Sequence, residues 1–331
     1  MFEDSLCCLI DEVNKVNPIG WSTWLCWGMA IVVVLWAIWR TLGLESGYPF
    51  VQVMAYTPQF LLLSGIVLFA ILGLRQWLPA AATFVAVAAL GFAVLPRAFG
   101  GPDERPEGGQ TIRLLSVNTL RGNVDVTRLL EIIESRHINV LSLQELPVNG
   151  VKRLKRRGLQ DILPYRVLGI EDKGGGGVYS RFPAGGMAPT RTKLRQPRAM
   201  IKPRASVPFE VMSVHPRAPQ GRRDTDLWEK EMDKLPVADE PGPPRVLAGD
   251  FNATLDHAKL RDLLDTGYRD AGSTTGAGLY STWPSFKEWP PPVTIDHALV
   301  EDPIAILDYK VLQVNNTDHK AVYTELVVPD A

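Results

Sequence analysis

Three long apolar runs, Trp21–Trp39, Pro49–Leu74 and Trp77–Leu95, contain no charged residue. Each reaches the roughly 17–25 residues that a helix needs to cross the hydrocarbon core of a bilayer. The pattern predicts three transmembrane helices, with Arg75 and Gln76 leaving room only for a tight hairpin between the second and third. Trp21, Trp24, Trp27, Trp36 and Trp39 flank or stripe the first run, as interfacial aromatics do. Pro58 and Pro79 are tolerable in lipid, where neighbouring helices satisfy the freed backbone groups.

Gly100–Gly109, with its prolines, acids and paired glycines, reads as a short linker. After it the pattern changes. Short apolar runs predict strands at Ile112–Val117, Val140–Leu143, Gly177–Ser180, Glu210–Val214, Arg245–Ala248, Ile295–Val300 and Tyr323–Val328. Leu129, Leu130, Ile132 and Ile133 recur at helical spacing and predict a helix over Val126–Ser135, with further helices over Asp224–Leu235 and Ala258–Leu264. Gly174–Gly177 is followed by neither the lysine-serine pair nor the helix start of a phosphate loop, and reads as a flexible turn. Many strands with few helices between them predict two sheets covered by helices. The expected organisation is an N-terminal segment (1–20), a three-helix membrane region (21–97), a linker (98–110) and a catalytic domain (111–331).

Composition adds limits. The chain has 331 residues, 46% of them hydrophobic, and the apolar excess is mostly N-terminal. A net charge of −1 gives no global basic field of the kind that draws nucleic acid. Glu3, Asp4, Asp11 and Glu12 make the N-terminus acidic and the apolar run starts late, so an uncleaved anchor is expected rather than a signal peptide. Lys15 and Arg75 on one face nearly balance Arg40 and Arg97 on the other, so charge does not orient the chain. All 3 cysteines, Cys7, Cys8 and Cys26, lie in or before the first run, which leaves the polar region without a disulfide or a Cys-zinc site.

A polar residue follows strand after strand: Asn118, Glu145, His215, Asp250 with Asn252, Asp296, and Asp318-His319. Strand ends on one rim are rigid places from which catalytic groups converge. Asp250 and Asn252 are two residues apart and can face one small ligand, such as a water beside a metal-bound phosphate, although Gly-Asp and Phe-Asn also make ordinary turns. Glu145 is a hard oxygen ligand to which Asn118 and Asp318 can add, a set suited to Mg²⁺ or Mn²⁺. Adjacent side chains rarely face each other, so Asp296 is better paired with His319 across strands than with His297, leaving His319 to donate to a phosphate oxygen. His215, stiffened by Pro216, is a second donor; His137 and His257 read as structural.

The ordered set Asn118, Gln144-Glu145, His215, Gly249-Asp250-Phe-Asn252, Ile295-Asp296-His297 and Thr317-Asp318-His319 resembles the endonuclease/exonuclease/phosphatase superfamily over Thr111–Val328. The resemblance implies a four-layer α/β sandwich, two mixed sheets flanked by helices, and metal-assisted phosphoester or phosphoanhydride hydrolysis. It implies that Glu145 with Asn118 holds the metal and Asp318 assists. Asp250 would orient or deprotonate water, Asn252 would position it, and His215 and His319, the latter oriented by Asp296, would stabilise the transition state. Thr317 replaces the more usual serine.

The membrane layout resembles actinobacterial proteins associated with teicoplanin resistance, a subgroup acting on polyprenyl diphosphate. That implies a multi-pass cell-membrane protein with an extracellular catalytic domain and a membrane lipid substrate; no protein partner is expected. Arg217 is a candidate phosphate contact, and the basic residues Lys152–Arg157 suit either lipid headgroups or a solvated face. Trp283, Phe286 and Trp289 fit a membrane surface, an isoprenoid tail or a core cover about equally. A lipid phosphodiesterase of sphingomyelinase type, a membrane-tethered nuclease and a phosphate-binding module without turnover are the competing readings.

Overall fold

The computed structural model describes residues 20–171, 174–188, 195–238, 240–286 and 289–331. The acidic N-terminus, Cys7, Cys8 and Lys15 lie outside the described residues. The chain divides into two compact units, one of residues 20–42 and 58–93, the other of residues 43–57 and 94–331.

The first unit is built from α1 (Trp21–Leu42), the bulk of α3 (Thr57–Gly73) and α4 (Trp77–Val94); α2 (Phe50–Met54) lies in the second. Cys26, Ala30, Val33 and Ala37 form one buried stripe on α1, and Cys26 and Ala30 pack with Leu68, Ile71 and Ala80. Leu35, Leu62, Phe69, Phe84 and Phe92 remain exposed. Two helices, Trp21–Leu42 and Trp77–Ala98, are long and apolar enough to cross a membrane, rather than the expected three. The middle run is not one helix. It breaks at Ala55-Tyr56, where Thr57 Oγ1 turns back to Met54 O (2.8 Å), and Pro58 falls in the first turn of the next helix, the one helical place where its missing N–H costs nothing. The helix that remains has 17 residues.

In the second unit the strands are β1 (Gln110–Asn118), β2 (Val140–Gln144), β3 (Tyr165–Glu171), β4 (Gly174–Ser180), β5 (Ala184–Gly186), β6 (Arg198–Ile201), β7 (Phe209–Val214), β8 (Arg245–Asp250), β9 (Tyr268–Asp270), β10 (Asp296–Glu301), β11 (Ala305–Leu312) and β12 (Ala321–Val328). They form two six-stranded sheets, ordered β11-β12-β1-β2-β4-β3 and β5-β6-β7-β8-β10-β9. Both are mixed, because β1–β2 and β7–β8 are parallel and the other pairs antiparallel. Helices α5 (Val126–Ser135), α6 (Val148–Arg156), α7 (Leu159–Ile162), α8 (Arg222–Met232), α9 (Ala258–Leu264) and α10 (Ala271–Thr274) complete it. Asp125 caps α5 by accepting from the backbone N–H of Thr127 and Arg128.

Strand alternation sorts the layers. Ile112, Leu114, Val140, Phe209, Val211, Val246, Ala248 and Ala298 fill the space between the sheets. Leu115, Val117, Leu141 and Leu143 face outward onto Leu129, Ile132 and Ile133 of α5, while Met212, Val214, Leu247 and Leu299 face Trp228 and Met232 of α8 and Leu260 of α9. The result is the expected sandwich of two sheets between helical layers. Gly174–Gly177 is not a turn: it is buried strand in β4, and a Cβ on Gly176 would come within 2.8 Å of Pro197 Cδ. The expected linker is also docked. Asp103 accepts from Arg269 Nη1 (2.7 and 2.8 Å) and from the Ile306 N–H (2.7 Å). Arg97, read as a membrane-flanking cation, makes a buried two-pronged ion pair with Asp256 (2.7 and 2.8 Å).

Candidate active site

Along the inner face of the sandwich, large apolar residues give way to small ones and then to amides and a carboxylate. In β1 the sequence is Ile112, Leu114, Ser116, Asn118; in β2 it is Val140, Ser142, Gln144; in β8 it is Val246, Ala248, Asp250. Ser142 Oγ donates to Ala248 O (2.8 Å) and Gln144 Nε2 donates to Ser213 Oγ (3.0 Å), stitching the two sheets together beneath the site. Glu145 and Asn252, each just beyond a strand, have φ of 51° and 50°. This left-handed conformation is uncommon outside glycine and costs on the order of 1 kcal/mol or more, a strain that concentrates at functional sites.

Asp250 lies at the centre and is 2% exposed. Its Oδ1 accepts from the Asn252 N–H (2.9 Å) and its Oδ2 from Asn118 Nδ2 (3.0 Å), with His319 Nε2 at 3.6 Å and His215 Nε2 at 3.7 Å. Burial raises its pKa above the ordinary carboxylate range and Asp296 adds to this, against the downward pull of both imidazoles. His319 Nδ1 pairs with Asp296 Oδ2 at 2.9 Å, the cross-strand pairing expected from alternation. Burial pulls the His319 imidazole down, but the carboxylates of Asp296 and Asp250 outweigh it and lift its pKa to about 10. His319 is therefore an imidazolium at neutral pH, with Nε2 free of any hydrogen bond among the described residues.

Glu145, His215, Asp250, Asn252, Asp318 and His319 line one cavity of about 290 Å³. Asn118 and Asp296 lie behind it as positioning residues. Asn118, expected as a metal ligand, directs its Nδ2 to both Glu145 Oε1 (3.2 Å) and Asp250 Oδ2 (3.0 Å), while its Oδ1 accepts from the Leu120 N–H (3.0 Å). Both ends of the amide are engaged, so it clamps two carboxylates together. Arg217, the candidate phosphate contact, is turned to Asp224 (2.9 Å) and does not line the cavity. Trp283 does line it, and its Nε1 donates to Asp318 Oδ2 (3.2 Å), a positioning role the sequence reading missed. Phe286 and Trp289 are exposed. His257 is structural as expected, with Nδ1 at 2.9 Å from the Thr254 N–H and Nε2 at 2.8 Å from Val51 O.

Asp318 Oδ1 is buried and has no hydrogen-bond partner among the described residues. His319 Nε2 stands 4.0 Å from that oxygen, beyond hydrogen-bond reach, and Asp318 with Glu145 in the same cavity offers the hard oxygen ligands that suit a divalent metal. Asp250, Asp296 and His319 also bring ligand-capable atoms within 4.8 Å of one another. That trio fits less well, because a metal there would displace the Asp296–His319 hydrogen bond and require the imidazolium to lose its proton.

The Endonuclease/Exonuclease/phosphatase family model matches residues 115–319, more than half of the chain and the whole span of these site residues. The chain belongs to that family. Solved structures agree in fold. An endonuclease/exonuclease/phosphatase from Beutenbergia cavernae is 17% identical, with 66% of this chain and 72% of that one covered at a TM-score of 0.53. A humanized D. rerio TDP2 with 14 mutations is 15% identical (65% and 98% covered, TM-score 0.51). A variant of the 3' phosphatase NExo from Neisseria, bound to a product DNA hairpin, is 17% identical (64% and 98%, TM-score 0.50). A search of curated proteins returns no match. As a member of this family the protein is an enzyme, a hydrolase of phosphoric esters or anhydrides that depends on a divalent metal.

Proposed function

We propose that the chain is a membrane-anchored phosphohydrolase acting on a phosphorylated lipid, most specifically polyprenyl diphosphate such as undecaprenyl diphosphate, with Mg²⁺ or Mn²⁺. Its layout is that of the teicoplanin-resistance subgroup, with the catalytic unit outside the cell. The observation that carries the lipid reading is the pairing, in one chain, of this site with helices that expose Leu35, Phe84 and Phe92. Connectivity supports a multi-pass anchor. Residues 43–57 and 94–331 fold as one unit and so share one side; if α1 and α4 span, α3 must carry the chain back across between them. Its 17 residues reach about 25 Å at 1.5 Å per residue, the short end for a span.

Glu145 and Asp318 would hold the metal, which when bound would supply Lewis-acid neutralisation of charge on the phosphoryl oxygens. Asp250 accepts a proton from the attacking water, a task favoured by its raised pKa, while Asn252 helps orient that water. Water oxygen bonds to phosphorus, the bridging P–O bond breaks, and lipid monophosphate and inorganic phosphate result. His319 and His215 donate to the phosphoryl oxygens as negative charge shifts, and Asp296 fixes the tautomer and orientation of His319.

Incubation of detergent-purified full-length protein with undecaprenyl diphosphate, sphingomyelin and DNA tests the reading. Phosphate release from the diphosphate supports it; cleavage of either phosphodiester without that release overturns the substrate assignment. Cleavage of none by folded, metal-loaded protein favours the binding-module alternative.

A further inference from the structure

We propose that the segment joining the first two apolar helices, Gly43–Thr57, is a fixed wall of the active site and forms an apolar subsite for the first carbons of the substrate's hydrocarbon chain. This rests on the lipid reading above and adds to it where the chain of the lipid goes and which residues select it.

The segment is not a loose connection. Gly47 N and Ser46 Oγ donate to Glu229 Oε1 on α8 at 2.8 and 3.2 Å. Gln52 Nε2 donates to Thr225 Oγ1 (2.8 Å) and to Pro219 O, and the Ala258 N–H at the start of α9 donates to Glu45. His257 Nε2 meets Val51 O at 2.8 Å. Val51 packs in the same core as Trp228 and Leu260, and Met54 and Thr57 are fully buried. So many directed bonds from a short stretch fix its backbone against the helical layer beside β7 and β8.

Fixed there, it reaches the chemistry. Gln52, Ala55 and Tyr56 line the same cavity as Glu145, His215, Asp250, Asp318 and His319. Trp283, Val293 and Ile295 complete the apolar part of the lining. The lining therefore combines charged groups with hydrocarbon and aromatic surface, the mixture that an amphiphile's head and neck require. About 290 Å³ has room for a phosphate and a few carbons, not for a long chain. Tyr56 directly precedes Thr57, the first residue of α3, so in an anchored chain this wall is covalently one step from the helix that enters the bilayer.

Two measurements on the full-length protein in proteoliposomes test the proposal. The first is kcat/KM of Ala55→Trp and Tyr56→Ala for a C55 and a C10 prenyl diphosphate. The ratio of long to short is expected to fall at least tenfold in Ala55→Trp, through KM rather than kcat, and more modestly in Tyr56→Ala. Proportional loss on both substrates, as from a merely structural role, or no change would overturn it. The second uses a long-chain alkyl diphosphate with a diazirine near its head, so that it reports whether or not turnover occurs. Labelling of residues 52–56 that unlabelled lipid diphosphate competes away supports the subsite. Turnover with labelling only elsewhere removes the subsite and keeps the lipid phosphatase; neither turnover nor labelling removes both.

Discussion

Two buried Asp–His pairs lie side by side in this sandwich with nearly the same geometry, His319 with Asp296 at 2.9 Å and His297 with Asp270 at 3.0 Å. Both histidines are buried and both are shifted upward, His297 because its bonds to Asp270 outweigh the downward pull of burial. The difference is the second ring nitrogen. His297 Nε2 is spent on Ala253 O at 3.0 Å, whereas His319 Nε2 faces the cavity with Asp250 at 3.6 Å. A carboxylate partner alone does not make a histidine catalytic. The same pair is a structural tie when its far side is sealed, and leaves a ring nitrogen available to a ligand when that side opens onto a cavity.

Substituting the two histidines breaks the comparison most sharply. His319→Ala is expected to cut kcat by on the order of 10³ or more, the scale for losing a preorganised transition-state donor, on top of a stability loss comparable to that of His297→Ala, because it leaves Asp296 buried without its partner. His297→Ala is expected to lose about 3 kcal/mol of stability, because it leaves Asp270 buried without its partner, while the protein that remains folded keeps most of its kcat. Paired thermal melts and initial rates check both. The reverse pattern would exchange the roles of the pairs.

Removing charge at the centre of the site tests the same contrast with less change in volume. Asp250→Asn is expected to abolish turnover yet leave the fold as stable or slightly more so, since burial already disfavours the Asp250 carboxylate. Full retention of activity would refute its role as the proton acceptor. Asp296→Asn should lower kcat by roughly 10²–10⁴ through the wrong His319 tautomer, by analogy with other carboxylate-oriented histidines, while Asp270→Asn should act on stability.

The smallest effect is on pH dependence. The folded pKa of His319 lies at about 10, above the unfolded value of about 6.5, so its stabilisation is complete below pH ~6.5 and is lost as pH rises through about 10. His257 has the opposite sign. Burial lowers its pKa, so below pH ~6.5 the unfolded chain takes up a proton that the folded one refuses, and stability falls with pH. Denaturant midpoints between pH 7 and 5 should decline less steeply in His257→Gln than in the parent.

The same physics explains what was legible in the sequence. The central strands are buried on both faces and read as apolar runs ending in a functional residue, which is why Asn118, Glu145, His215, Asp250 and Asp296 could be placed at strand ends. The strands that escaped were β3, β5, β6, β9 and β11, and four of these are the sheet edges, short or studded with polar residues such as Asp308 and Lys310. The Asp296–His319 pair followed from alternation. The Asp270–His297 tie did not, because nothing local says what a second nitrogen will meet. The Asn118 amide nitrogen bridging two carboxylates was not legible either, because a local sequence does not say which carboxylates will meet there. Least legible was Gly43–Thr57, which bonds to residues more than 150 positions away through backbone groups and lone polar side chains that leave no periodic mark.

The constellation is proposed to hydrolyse a lipid diphosphate with a divalent metal. The most direct measurement is inorganic phosphate released from undecaprenyl diphosphate by the full-length protein as Mg²⁺ is added and then chelated, with His319→Ala and His297→Ala run in parallel. The account predicts release that rises with Mg²⁺, stops on chelation, is lost in His319→Ala and persists in folded His297→Ala. Release that ignores chelator, or survives in His319→Ala, would contradict it.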